Sequence, residues 1–106
     1  MKSSNPQQEL AEKVFTVIGG IPFGKVASYG QIARLAGSPK HARKVGQLLK
    51  NLPNGSTLPW YRVVNSQRRI SFPQDSSKFQ EQKSRLQAEG VTFSNSNVIA
   101  KHCVWE

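Results

Sequence analysis

The chain has 106 residues, 37% of them hydrophobic and 20% charged, which suits one compact domain over residues 1–106 with a modest core, and not a disordered polyelectrolyte. No apolar run approaches the roughly 20 residues of a membrane span. The start, Met1-Lys2-Ser3-Ser4-Asn5-Pro6, has no hydrophobic signal core, so a cytoplasmic protein with no membrane partner is expected; a monomer is expected as well. The formal charge is +9, and between Lys13 and Gln74 there are ten Lys or Arg and no Asp or Glu. A polyanion, with nucleic acid foremost, is the simplest partner for such a block.

In chain order, the first helix opens near Pro6 with Leu10, Val14, Val17 and Ile18 on one face, and stops at Gly19-Gly20. Ile21-Pro22-Phe23-Gly24-Lys25-Val26 is a turn-rich connection. Ser28-Tyr29-Gly30-Gln31 has the spacing of a capping box. It opens a second helix, 29–36, that turns Ile32, Leu35 and Ala36 to the core. Gly37 ends that helix. Ser38-Pro39 then supplies an N-cap and a first-turn proline for a third, 39–51. Two helices joined so tightly read as a helix-turn-helix.

The third helix sorts its residues by face at helical spacing. Ala42, Val45, Leu48, Leu49 and Leu52 lie on one side, and Lys40, Arg43, Lys44, Gln47 and Lys50 on the other. Gly46 sits on the flank, where a missing side chain allows close approach of a partner. A solvated helix face ordinarily mixes both charge signs. This one has no acid, which makes it the candidate nucleic-acid contact.

After the loop Pro53-Asn54-Gly55-Ser56, Val63-Val64 and Ile70-Ser71 are expected to pair through Asn65-Ser66-Gln67 as a small hairpin. A last helix, 76–89, carries Phe79, Lys83 and Leu86 and ends at Gly90. Val98-Ile99-Ala100 and Val104-Trp105 should add an edge strand and an apolar cover. The expected fold class is mainly α: a winged-helix-like DNA-binding domain with a helix-turn-helix and a small β wing.

His41, His102 and Cys103 do not make a metal site, and no glycine loop suited to phosphates is present, so no cofactor is expected. Cys103 adjoins His102, but neighbours on an extended strand point apart, and it reads as a buried or edge cysteine. On charge and helix pattern alone, a winged-helix transcription factor binding undamaged DNA fits as well as any more specialised reading.

Pro59-Trp60-Tyr61-Arg62-Val63-Val64 separates the readings. It resembles the Pro-Cys-His-Arg-Val active-site motif of the O(6)-alkylguanine-DNA alkyltransferases, whose cysteine thiolate accepts an alkyl group from damaged guanine. Ile21 to Val26, Ser28 to Gln31, and Pro39 to Gly46 are similar to other family segments and occur in family order. The resemblance covers about Phe15 to Gly90. Trp60 stands at the cysteine position, and an indole has no thiol to act as nucleophile. The chain therefore resembles the alkyltransferase-like proteins, which recognise the lesion without repairing it.

That resemblance implies a binder of duplex DNA containing O(6)-alkylguanine that enters the minor groove and passes the lesion to nucleotide excision repair proteins. Tyr29 would crowd the phosphate beside the target nucleotide and favour its rotation. Arg43 would enter the base stack and fill the gap. Lys40, Lys44, Gly46 and Gln47 would contact DNA around it. Pro59, Trp60, Tyr61, Arg62, Glu89 and Ser71 would form the lesion pocket, with Arg62 structural and Glu89 available to Tyr61 for a hydrogen bond. Two departures from the family are plain: Tyr61 replaces its histidine, and Ser71-Phe72-Pro73-Gln74-Asp75-Ser76 replaces its glycine-rich lid.

Overall fold

The computed structural model describes residues 5–53 and 55–106; Met1 to Ser4, and Asn54 of the expected loop, lie outside them. Asn5 caps α1 (Pro6–Gly19), its Oδ1 accepting from the Gln8 amide at 2.7 Å, and Pro6 occupies the first turn, where no donor is needed. Val14 and Ile18 are buried, with Leu10 and Val17 packed partly against the same cluster. Ser28 caps α2 (Tyr29–Leu35) through its Oγ, which accepts from the Gln31 amide at 3.0 Å. The Gln31 side chain does not complete a capping box. It donates instead to the Trp105 carbonyl at 2.8 Å.

Gly37, at a φ of 83°, closes α2. Its amide donates to the Arg34 carbonyl and the Ser38 amide to that of Ala33, the paired bonds of a Schellman turn. This turn shortens the third helix relative to expectation. The Ser38 carbonyl accepts from the His41 amide at 2.9 Å, so the chain makes a second turn before helix begins. α3 runs Ala42–Lys50, with His41 at its cap and no side-chain cap bond. Lys40 thus lies on the turn ahead of α3. The brevity of α2 brings a second correction: Ile32, Ala33 and Ala36 fill its buried stripe, and Leu35 is 53% exposed.

The structure is mainly helical with one two-stranded sheet, but the strand partners differ from the expected wing. β2 (Val63–Val64) pairs in parallel with β1 (Ala27–Ser28), Ala27 opposite Val63 and Ser28 opposite Val64. Ile70 and Ser71 form no strand with it. Asn65 Oδ1 accepts from the Gln67 and Arg69 amides at 2.9 and 3.0 Å, and Arg68 adopts a φ of 59°. This curls the chain. Arg68 then meets the tail, its carbonyl accepting from the Ile99 amide and its Nε donating to the Ile99 carbonyl.

The ribbon separates two cores. Side chains on a strand alternate between faces. Ala27 and Val63 enter a cluster with Val14, Ile18, Ile21, Ile32 and Val45, whereas Val26 and Val64 enter another with Leu86, Val91, Ile99 and Cys103. α4 (Ser77–Ala88) begins at Ser76, whose Oγ accepts from the Phe79 amide at 3.2 Å. Glu89 is its C-cap, and Gly90 follows with a φ of 90°. Its buried residues are Phe79, Gln82 and Leu86; Lys83 is half-buried and donates to Asn97 Oδ1 at 2.8 Å. The tail makes single bridges, Val26 to Val104 and Phe93 to Ile99, and Trp105 covers the first core. Among the described residues no helix is long and apolar enough to cross a membrane.

Candidate nucleic-acid interface

α3 buries Val45 and packs Ala42, Leu48 and Leu49 against the first core. That fixes which side is left outward. Arg43, Gln47 and Lys50 are exposed, and Lys44 is half-buried. Arg43, Gly46, Gln47 and Lys50 follow one another at i, i+3, i+4 and i+7, so they form a single stripe. Tyr29, at the start of α2, lies against this stripe: a Cβ built on Gly46 would meet its ring at 3.9 Å. Gly46 and the Tyr29 ring are therefore neighbours, at a separation where even a methyl would sit in ordinary contact. Helix packing brings Tyr29 and the Arg43 stripe together from separate elements.

The Pro59 motif forms a 3₁₀ turn, Trp60–Arg62, with Pro59 at its N-cap and the Arg62 amide donating to the Pro59 carbonyl at 3.1 Å. Trp60 is half-buried. Tyr61 and Phe72 stand edge-on to it, with ring centroids at 5.8 and 6.4 Å and interplanar angles of 86° and 85°. Ser71 and Pro73, either side of Phe72, are exposed. A hollow of about 440 Å³ is lined by Pro59 with Phe15, Leu52 and Leu58, and another of about 460 Å³ lies beside β1 at Ser28, Asn65 and Arg68. Trp60 lines neither. Its ring is one wall of an aromatic shelf whose outer edge is α4.

Arg62 holds the turn in place. Its Nη2 is 2.7 Å from Glu89 Oε2, its Nε donates to both Glu89 oxygens, and its Nη1 donates to the Ile21 carbonyl at 2.9 Å. The two side chains are only 14% and 7% exposed. Glu89 Oε1 also accepts from the Gly24 amide at 2.9 Å. The guanidinium lies 5.5 Å from the Tyr61 ring centroid and 5.8 Å from that of Phe23. The hydrogen bond to Glu89 is the main reason that the Arg62 pKa is raised, with burial opposing it. For Glu89, burial is the largest single influence and acts upward. The Arg62 and Gly24 hydrogen bonds and the Arg62 charge together outweigh it, so its pKa lies below the ordinary value, with Tyr61 a lesser contributor. The principal partner of Glu89 is therefore Arg62.

Gln82 was not apparent as a site residue. It is 2% exposed, and its Nε2 donates to the Tyr61 and Val63 carbonyls, both at 3.0 Å. It anchors the Trp60 turn to α4. A polar residue three after Phe79 and four before Leu86, on the apolar stripe of its helix, is the signal that marks it. Cys103 is 3% exposed in the second core. Among the described residues no cluster of three or more potential metal ligands occurs.

A helix-turn-helix with an acid-free outer face, backed by an aromatic turn pinned to the next helix, defines a DNA-binding domain. The chain belongs to the family of the 6-O-methylguanine DNA methyltransferase DNA-binding domain, whose model matches residues 9–91. It is 50% identical over 88 residues to a DNA base-flipping protein of Vibrio parahaemolyticus, covering 83% of this chain and 86% of the relative. It is 47% identical over 90 residues to alkyltransferase-like protein 1 of Schizosaccharomyces pombe, covering 85% and 83%. The crystal structure of S. pombe Atl1 with damaged DNA containing O6-carboxymethylguanine superposes with a TM-score of 0.84 at 38% identity, over 100% of this chain and 99% of that one.

Proposed function

We propose that this protein is a non-enzymatic sensor of O(6)-alkylguanine in duplex DNA. Trp60 carries the reading: the turn resembles the Pro-Cys-His-Arg-Val motif of the alkyltransferases, and at the position of the alkyl-accepting cysteine this chain has an indole. The single thiol, Cys103, is buried in the second core. The base-flipping and alkyltransferase-like relatives, and the relative held on damaged DNA, support the same assignment.

The geometry suggests how recognition proceeds. The Arg43 stripe enters the minor groove, with Lys40 and Lys44 on flanking phosphates and Gln47 and Gly46 against the groove floor. Tyr29 presses on the backbone beside the lesion. Extruding a nucleotide costs a few kcal/mol, and less for a base that already pairs badly. Arg43, a planar cation, stacks in the gap and offsets part of that cost. The rotated base meets the shelf of Pro59, Trp60 and Tyr61, where each buried methylene of the adduct contributes about 0.8 kcal/mol. Arg62 and Glu89 hold the shelf, and Ser71 lies on its lid. With no thiolate there, the base is held intact, and the bent, occupied site directs nucleotide excision repair proteins to it.

Incubation with duplex carrying a radiolabelled O(6)-methyl group tests this reading. The expected outcome is tighter binding than to plain duplex with all label remaining on DNA. Label transferred covalently to the protein would overturn the sensor assignment.

A further inference from the structure

The face of α4 that borders Trp60 carries charge which the flipping mechanism leaves unused. Lys78 Nζ lies 4.5 Å from the Trp60 ring centroid, and the Arg85 guanidinium lies 6.0 Å from it and 5.2 Å from that of Tyr61. Between them on the helix, Glu81 pairs with both, at 3.5 Å to Lys78 and 3.4 Å to Arg85. Two cations therefore share one carboxylate, which leaves a net positive charge at the mouth of the aromatic shelf. Arg62 adds nothing to it, because Glu89 neutralises that guanidinium. Lys78, Glu81 and Arg85 have side chains 53%, 42% and 51% exposed, so they can reorient toward a ligand without leaving a charge buried and unpaired.

We propose that Lys78 and Arg85 make the shelf selective by charge, favouring guanine adducts whose O(6) arm ends in a carboxylate over neutral adducts of the same shape. The proposal rests on the lesion-pocket reading above. An uncharged arm that stacks on Trp60 displaces the Lys78 ammonium from the ring face and gives it no new partner. A carboxylate arm accepts hydrogen bonds from that ammonium or from the Arg85 guanidinium, and supplies the second anion that the cluster lacks. Phe72, edge-on to the indole at 6.4 Å, adds apolar surface beside it.

The test compares one duplex sequence carrying guanine, O(6)-carbamoylmethylguanine or O(6)-carboxymethylguanine, the last two differing in charge at nearly constant shape. Wild-type protein should bind the carboxymethyl duplex about three- to five-fold more tightly than the carbamoylmethyl duplex, the scale of one partly screened charge contact. The gap should narrow as salt rises. In the Lys78→Gln/Arg85→Gln double variant that ratio should approach one, with both adducts still preferred to guanine. Equal affinity for the two adducts in the wild type, or a preference that survives in the double variant, overturns the proposal. So does a double variant that discriminates no adduct from guanine, because the cations would then be supporting Trp60 and not selecting a ligand. If even the wild type binds neither adduct better than guanine, the lesion-pocket reading fails as well.

Discussion

Arg43, Gln47 and Lys50 project from a regular helix into solvent, and among the described residues the ion pairs join 62 to 89, 78 to 81 and 81 to 85, none of them on α3. Around Trp60 the arrangement is the reverse. The turn is irregular, and bonds from Arg62 to Glu89 and the Ile21 carbonyl, and from Gln82 to the Tyr61 carbonyl, tie it to α4 and to the loop after α1. The helix face holds side chains ready for a partner, while the turn holds a shape. On the proposed function, one part supplies affinity that any duplex can use, and the other a surface that must not move if it is to distinguish one base from another.

The comparison is open to disruption, most forcefully at Glu89. Glu89→Ala leaves the nearly buried Arg62 charge unpaired, and urea unfolding should show a loss of about 3–5 kcal/mol. Arg43→Ala should stay within about 0.5 kcal/mol of wild type. Similar losses for both would remove the distinction between a free face and a clamped turn. Acid probes the same contact. The folded pKa of Glu89 is depressed, so its stabilisation is present above its ordinary value of 4.5 and is lost as pH falls through the lower folded value. Unfolding midpoints should decline on acidification below that point, and more steeply in wild type than in Glu89→Gln.

Binding provides the next contrast. Arg43→Ala should weaken lesion affinity by roughly ten-fold or more, whereas Lys40→Ala and Lys50→Ala should produce smaller losses that lower salt restores. Equal losses, equally restored, would make Arg43 an ordinary phosphate contact. Trp60→Ala should reduce the ratio of methylated to plain duplex affinity by about four-fold, the value of one methylene's burial. The salt slope, roughly −0.9 per phosphate neutralised, should not change. A proportional loss of both would place the indole in the core. Gly46→Ala is the finest probe. Its Cβ would meet Tyr29 in ordinary contact at 3.9 Å, so helix propensity should raise stability by about 0.5–1 kcal/mol. The added methyl should nevertheless lower affinity for every duplex, and unchanged affinity would show that α3 does not approach DNA at Gly46.

What the sequence revealed follows the same division. Val14, Ile18 and Val45 recur at helical spacing, and Ser28 and Ser76 mark helix starts within three residues of the amides they cap. Local rules suffice for these. The parallel pairing of Val63 with Ala27 spans the whole helix-turn-helix, and nothing near Val63 announces it. Asn65 and Arg68 curl what alternation alone suggests is a hairpin. Pro39 invited an early helix start, but the Ser38 carbonyl is engaged in a turn with His41. At the Trp60 turn the family resemblance singles out Trp60, Tyr61, Arg62 and Glu89, which the fold brings together, yet it could not show that Gln82 anchors the turn or that Arg62, in preference to Tyr61, holds Glu89.

The position of Glu89 bears on how the molecule is made. Its bonds to Gly24 and Arg62 join residues 65 and 27 apart along the chain. Contacts of such separation form after local helices, because loop closure must be offset before they contribute. Glu89 is also the C-cap of the last helix, so a ribosome will have released the whole basic stretch before this carboxylate can fold back onto it. Until then the nascent polypeptide carries its adhesive charge without the clamped turn proposed to read the base. The basic stretch is thus made before the contacts that fix the Trp60 turn can close.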